Sequence, residues 1–172
     1  MSLRLFFALW PAPPVRAALA AAAAPLRQAC PGRPVPASNY HLTLAFLGKV
    51  EAAELDPLRA AAAAVRSPGF DLSMDTSGHW PRAGVAWLGT RQPTPAAAAL
   101  ATNLWTALGP LGYTPGARPF EPHLTVMRRC RRCTPPPPPG PVEWPVREFV
   151  LVCSETRPEG AHYAIIGRWA LV

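Results

Sequence analysis

Lysine is almost missing from this 172-residue chain: Lys49 is the only one among 17 basic residues. Acidic residues are few as well, ten in all, which leaves a formal charge of +7 and a pI near 10.1. That balance suits a polyanionic partner such as RNA, although a soluble surface that uses arginine in place of lysine gives the same arithmetic. The four cysteines, Cys30, Cys130, Cys133 and Cys153, show no disulfide framework. Cys130-x2-Cys133 is half of a zinc pattern, but Cys30 and Cys153 are isolated in sequence and no histidine stands at ligand spacing, so no metal is expected. Apolar runs never approach the roughly 20 residues of a membrane span, and Leu5 to Trp10 is too short for a signal sequence. A cytoplasmic protein without membrane contact is expected. There is no glycine-rich phosphate loop and no dinucleotide fingerprint, and no cofactor is expected.

Histidine is scarce, with four copies, and two of them repeat in context. His41-Leu42-Thr43-Leu44 returns as His123-Leu124-Thr125-Val126. Both copies lie in short apolar runs, Tyr40 to Leu47 and Pro122 to Met127, that read as strands. In a strand, residues i and i+2 share a face, so His and Thr of each motif project together while Leu42, Leu44, Leu124 and Val126 turn into a core. Phe70-Asp71-Leu72 resembles Phe149-Val150-Leu151, and Ala83 to Gly89 resembles His162 to Gly167. These matches suggest two related lobes, each with one motif strand and a following hairpin.

Half of the residues are apolar, enough for one compact domain over residues 1–172. Leu3 to Leu9 reads as a strand, and the prolines from Pro11 to Pro14 prime a helix to about Gln28. After a loop at 31–38 and the first motif strand, Glu51 to Arg66 reads as a second helix and Pro95 to Leu108 as a third. Phe70 to Met74 and Gly84 to Leu88 look like a strand pair, as do Arg147 to Cys153 and His162 to Trp169 across a turn at Arg157 to Gly160. An arginine- and proline-rich loop is expected over residues 129–145. The class is α+β with mostly antiparallel sheet.

Histidine can serve as acid or base near neutrality because its ordinary pKa is about 6.5. Two imidazoles facing one substrate can hold opposite protonation states, one taking a proton from water and one giving a proton to a departing alkoxide. That arrangement suits the opening of a cyclic phosphodiester without a metal. Thr43 and Thr125 supply neutral donors for the phosphoryl oxygens, and Arg128, at the end of the second motif strand, supplies a charge-assisted contact. A single His-x-Thr is usually an ordinary strand; two copies in matching context point to a site. The remaining histidines, His79 and His162, read as turn and strand residues. Trp80, Trp87, Trp105 and Trp169 read as core, Phe46 as an aromatic at a cleft mouth, and Arg4 as an exposed strand residue or a phosphate contact.

At these residues the chain resembles the 2H phosphoesterase superfamily, named for paired His-x-Thr/Ser motifs, and within it the RNA 2',3'-cyclic phosphodiesterases of the ThpR/LigT group. Arg4 to Leu9, His41 to Gly48, Val85 to Gly89, Pro122 to Arg128, Ser154, Gly160 and Tyr163 carry the likeness, which spans nearly the whole chain. The resemblance implies a bilobed duplicated fold, with two mostly antiparallel sheets facing a central cleft and helices outside. It implies hydrolysis of RNA 2',3'-cyclic phosphate ends to 2'-phosphomonoesters, with His41 as proton donor and His123 as proton acceptor, and reverse 2'-5' RNA joining as a related activity. The chemistry of the residues leaves the two histidine roles interchangeable. The expected partner is an RNA with a cyclic phosphate end, bound by a monomer. A non-catalytic RNA-binding module with a basic cleft is the alternative.

Overall fold

The computed structural model describes residues 1–172 and contains ten strands and three α-helices. The strands are β1 (Ser2–Leu9), β2 (Arg33–Pro34), β3 (Leu42–Glu51), β4 (Phe70–Met74), β5 (Thr76–Trp80), β6 (Val85–Gly89), β7 (His123–Arg128), β8 (Val142–Val146), β9 (Glu148–Arg157) and β10 (Gly160–Ala170). The helices are α1 (Pro13–Ala29), α2 (Leu55–Ala64) and α3 (Pro95–Leu108). The α+β class with antiparallel pairing is as expected.

Each helix follows from its sequence. α1 begins with two prolines, whose missing N–H groups cost nothing in a first turn. It buries Leu19, Ala22, Ala23 and Leu26, the i, i+3, i+4, i+7 stripe of an amphipathic helix. α3 likewise starts at a proline and buries Ala97, Leu100, Ala101, Leu104 and Leu108. α2 and α3 pack together, and α1 lies over β7 and β8.

Hydrogen-bonded strands run in the order β10-β9-β1-β3-β7-β6-β5, with β2 on the free end of β7, while β4 and β8 form a separate two-stranded sheet. The path divides into two parts. β10, β9, β1 and β3 form one half of this eight-stranded sheet and β7, β6 and β5 the other, and the halves meet at a single pair, Leu42 opposite Leu124, where two separate sheets were expected. Both leucines are fully buried, as are Val126 and, nearly so, Leu44, in one core that also takes Leu5, Phe7, Leu9 and Trp144. The opposite face of β1 and β9 carries a smaller cluster of Phe6, Ala8, Val150 and Val152. Alternation along β1 and β3 therefore separates a thick core from the face that bears His41 and Thr43, as the sequence pattern requires.

The hairpins depart from expectation. The hairpin that follows the first motif, β5-β6, pairs with the second motif strand β7. The hairpin that follows the second motif, β9-β10, joins β1 beside the first motif strand. Each motif is thus completed by the other copy's hairpin. Phe70 to Leu72 and Phe149 to Leu151 are not equivalent either, because β4 pairs with β8 while β9 lies in the large sheet. Phe70 to Met74 consequently does not pair with β6, whose partner β5 has the sequence Thr-Ser-Gly-His-Trp and shows no apolar alternation. The arginine- and proline-rich loop ends at residue 141 rather than 145, since Val142, Trp144 and Val146 alternate inward as β8. Within the expected loop at 31–38, Arg33 and Pro34 pair with Arg128 and Met127 as β2.

Candidate active site

In the register set by Leu42 and Leu124, an antiparallel pair places His41 across from Thr125 and Thr43 across from His123. The four side chains share one face and are half-buried, while the leucines between them point into the core. The structure therefore gathers both histidines and both threonines where the two halves of the sheet join.

Each histidine is held in the same way. His41 Nδ1 donates to the carbonyl oxygen of Asn39 at 2.7 Å, and His123 Nδ1 donates to that of Glu121 at 2.8 Å. A carbonyl can only accept, so the Nδ1 atoms carry the hydrogens and Nε2 is left for a substrate. The two-residue step back to the carbonyl is identical in both copies. Beyond this anchor the surroundings diverge. His41 lies among Phe6, Trp10 and Tyr163, with Trp10 stacked on its ring at 5.5 Å and Phe6 at 4.9 Å. Burial there lowers its pKa to about 4, with smaller contributions from Arg128 and His123 in the same sense, against the Asn39 carbonyl. His123 meets Trp80 edge-on at 4.6 Å. Burial lowers its pKa too, while the carbonyl and the carboxylate of Glu121 act to raise it and Arg128 to lower it.

Arg128 lies near enough to both imidazoles to disfavour their charged forms, which places it beside the paired motifs. It also lines a cavity of about 400 Å³ with Arg33, Asn39, Arg129 and Tyr163. Several contributors were not legible in the sequence. Trp10 follows β1 with no local signal, and Trp80 belongs beside His123 rather than in the core. Arg118 lines two cavities that both reach His123 and Glu121. Asn39 Nδ2 donates to the Ala161 carbonyl and Arg33 to that of Glu159, tying the segment before His41 to the β9-β10 turn. Phe46 is half exposed beneath the Arg4 guanidinium, 4.9 Å from the ring centre. His79 is a β5 residue whose Nε2 contacts the Cys130 carbonyl, remote in role from the paired imidazoles.

Residues 9–87 match the family model described as LigT like phosphoesterase. The chain is 42% identical over 142 residues to the RNA 2',3'-cyclic phosphodiesterase of Escherichia coli strain K12, a match covering 81% of this chain and 80% of that protein. It is 33% identical over 183 residues to the protein of the same name from Thermus thermophilus, covering 98% and 90%. Among solved structures, E. coli LigT complexed with 3'-AMP superposes with a TM-score of 0.90 at 38% identity over 99% of each chain. A T. thermophilus structure gives 0.84 at 32% identity over 98% of each. With paired histidine strands where the two halves of an antiparallel sheet join, and with these relatives over most of its length, the chain belongs to the LigT-like phosphoesterase family.

Proposed function

We propose that the protein is a cytoplasmic, metal-independent phosphodiesterase that opens 2',3'-cyclic phosphates at RNA ends to 2'-phosphomonoesters. The observation that carries this reading is the pair of imidazoles, each anchored through Nδ1 on the carbonyl two residues upstream and each free at Nε2. His123 accepts a proton from the attacking water, a P–O bond to the new oxygen forms, and the bond from phosphorus to the 3' oxygen breaks. His41 gives its proton to that departing oxygen. Thr43 and Thr125 donate to the non-bridging oxygens, and Arg128 contacts the phosphate.

The unequal surroundings support these roles. The acceptor becomes an imidazolium during the step, and the Glu121 carboxylate favours that charge on His123. The donor gives up its proton more readily the lower its pKa, and His41 is the more strongly desolvated of the two. Its charged form is disfavoured in the free protein, so the anionic phosphate must bring it about. With the 5' hydroxyl of a second RNA in place of water, the same transfers join the 2' phosphate to that hydroxyl as the bond to the 3' oxygen breaks. Every residue named comes from one chain, so no second copy is required.

The deciding measurement is turnover of a 2',3'-cyclic nucleotide in EDTA by His41→Ala and His123→Ala. Each should lose roughly a hundredfold to ten-thousandfold in kcat, while binding of RNA largely survives and wild-type product chromatographs as the 2'-phosphate. Full turnover in either variant sinks the proposal.

A further inference from the structure

Away from the cleft, three cysteines distant in sequence converge. Cys30 closes α1, and Cys130 and Cys133 bracket Arg131 and Arg132 just beyond β7. Their sulfur atoms all lie within 4.8 Å of one another. Cys30 and Cys133 form a disulfide across 103 residues of sequence, with Cα atoms 4.8 Å apart, which corrects the expectation of no disulfide, and Cys130 is a free thiol buried beside them. The expectation that Cys30 stands alone is thereby corrected: the fold supplies the third sulfur that the Cys130-x2-Cys133 spacing lacked.

Backbone contacts independent of sulfur chemistry hold these segments together. Gly32 passes so close to the Arg128 carbonyl that a Cβ there would come within 2.5 Å of its oxygen. Arg33 pairs with Arg128 in the β2-β7 ladder. Cys130 N–H donates to the Gly84 carbonyl at 2.9 Å, and the Cys130 carbonyl accepts from His79 Nε2 at 2.7 Å. Arg129, between them, has a left-handed backbone with φ of 54°, which turns the chain sharply after β7. These contacts would keep the three cysteines together when the disulfide is reduced.

The disulfide occupies two of the three sulfurs and leaves the Cys130 thiol buried against it. A thiophilic d10 cation uses all three. With Zn–S bonds of about 2.3 Å, tetrahedral thiolates stand about 3.8 Å apart, so once the Cys30–Cys133 bond is reduced those two sulfurs need only separate, with Cys130 already within 4.8 Å of both. Three thiolates and one Zn²⁺ carry a net charge of −1, which Arg128, Arg129, Arg131 and Arg132 in the same turn offset. Cys30 and Cys130 are fully buried but Cys133 is partly exposed, which gives the ion an entry path and a side open to solvent. We propose that, once a dithiol or two thiols have reduced the Cys30–Cys133 disulfide and been oxidised to a disulfide in turn, Cys30, Cys130 and Cys133 bind one zinc ion as thiolates, releasing three protons, with water in the fourth position. The ion takes no part in the reaction at His41 and His123. It clips the turn after β7 to the end of α1 and so fixes the base from which Arg128 reaches the cleft.

The test is metal content and a spectrum, read independently of turnover. Protein produced in zinc-supplemented medium and purified with a thiol reductant and no chelator should carry about one zinc per chain by mass spectrometry of the elements. Refilled with cobalt, it should show a thiolate-to-cobalt charge-transfer band in the near ultraviolet. Cys133→Ser, at the partly exposed position, should lose both signals while keeping the wild-type circular dichroism. Absence of metal from the reduced wild type, a cobalt band that persists in Cys133→Ser, or peptide mapping that recovers Cys30 and Cys133 as a disulfide from reductant-treated protein each overturns the proposal.

Discussion

Trp10 lies flat on His41, the two ring planes 6° apart, whereas Trp80 meets His123 at 69°. Two motifs nearly identical in letters are therefore set in different media. The stacked indole withholds water from His41, and burial is the largest cause of its low pKa. Trp10→Ala should admit water and raise the His41 pKa from about 4 toward the ordinary value near 6.5. An NMR titration of the ring Cε1 proton reads this directly. An unmoved titration in the variant would mean that Trp10 contributes nothing to the desolvation.

Glu121 offers the complementary experiment on His123. Its carboxylate favours the imidazolium, so Glu121→Gln should lower the His123 pKa further. Because His41 is the more strongly depressed of the two, His123 sets the alkaline limb of the pH profile for kcat/KM, which should then move to lower pH, while the carbonyl that anchors Nδ1 is unaltered. A shift to higher pH would contradict the assignment of His123 as base.

Both imidazoles are held below the ordinary histidine pKa in the free protein, and a bound phosphate anion stabilises an imidazolium. Binding of inorganic phosphate or a 2'-phosphate nucleotide at pH 7 should therefore take up protons, and affinity should rise as pH falls. Calorimetry in two buffers of different ionisation enthalpy measures the uptake. Identical heats in both would exclude it.

The same shifts bear on stability. A histidine whose folded pKa is depressed binds fewer protons folded than unfolded across the window between the two values. Its contribution is complete above the unfolded pKa near 6.5 and is lost as pH falls through about 4. Urea unfolding at pH 7 and pH 5 should show the wild type losing more stability on acidification than His41→Ala. Equal losses would refute a buried neutral His41.

Gly78 in β5 lies directly against the Trp87 ring, and a Cβ there would clash with the indole. Gly78→Ala should cost about 1–3 kcal/mol, the range for overpacking. Because Trp87 also packs against Trp80, the variant should slow turnover by displacing Trp80 from His123. Thermal denaturation and kcat report the two effects separately.

The motif strands and all three helices were legible because their information is local: alternation around His41 and His123, alanine-rich stripes, and prolines at helix starts. Pairing was not. β5 has too little apolar character to announce itself, and the exchange of hairpins between the two halves is decided by how β1 and β9 fill one sheet, which short sequence matches do not encode. The site followed the same division. His41, Thr43, His123, Thr125 and Arg128 are neighbours on two strands and stand out in the sequence. Trp10, Trp80 and Arg118 arrive from separate segments, and only tertiary packing brings them to the imidazoles. Cys30 looks isolated in sequence for that reason, since its partners lie about a hundred residues away.

Strand β1 sits between β3 and β9, one neighbour drawn from the first third of the chain and the other from its last part. A nascent chain emerging from the ribosome can form the β5-β6-β7 sheet as soon as residue 128 is free. The sheet that carries His41 stays open along β1 until β9 has been translated. Truncations before residue 148 should leave β1 with an unpaired apolar edge, prone to capture by another copy. The half holding the second motif is thus the first that can close, although the first motif is made earlier.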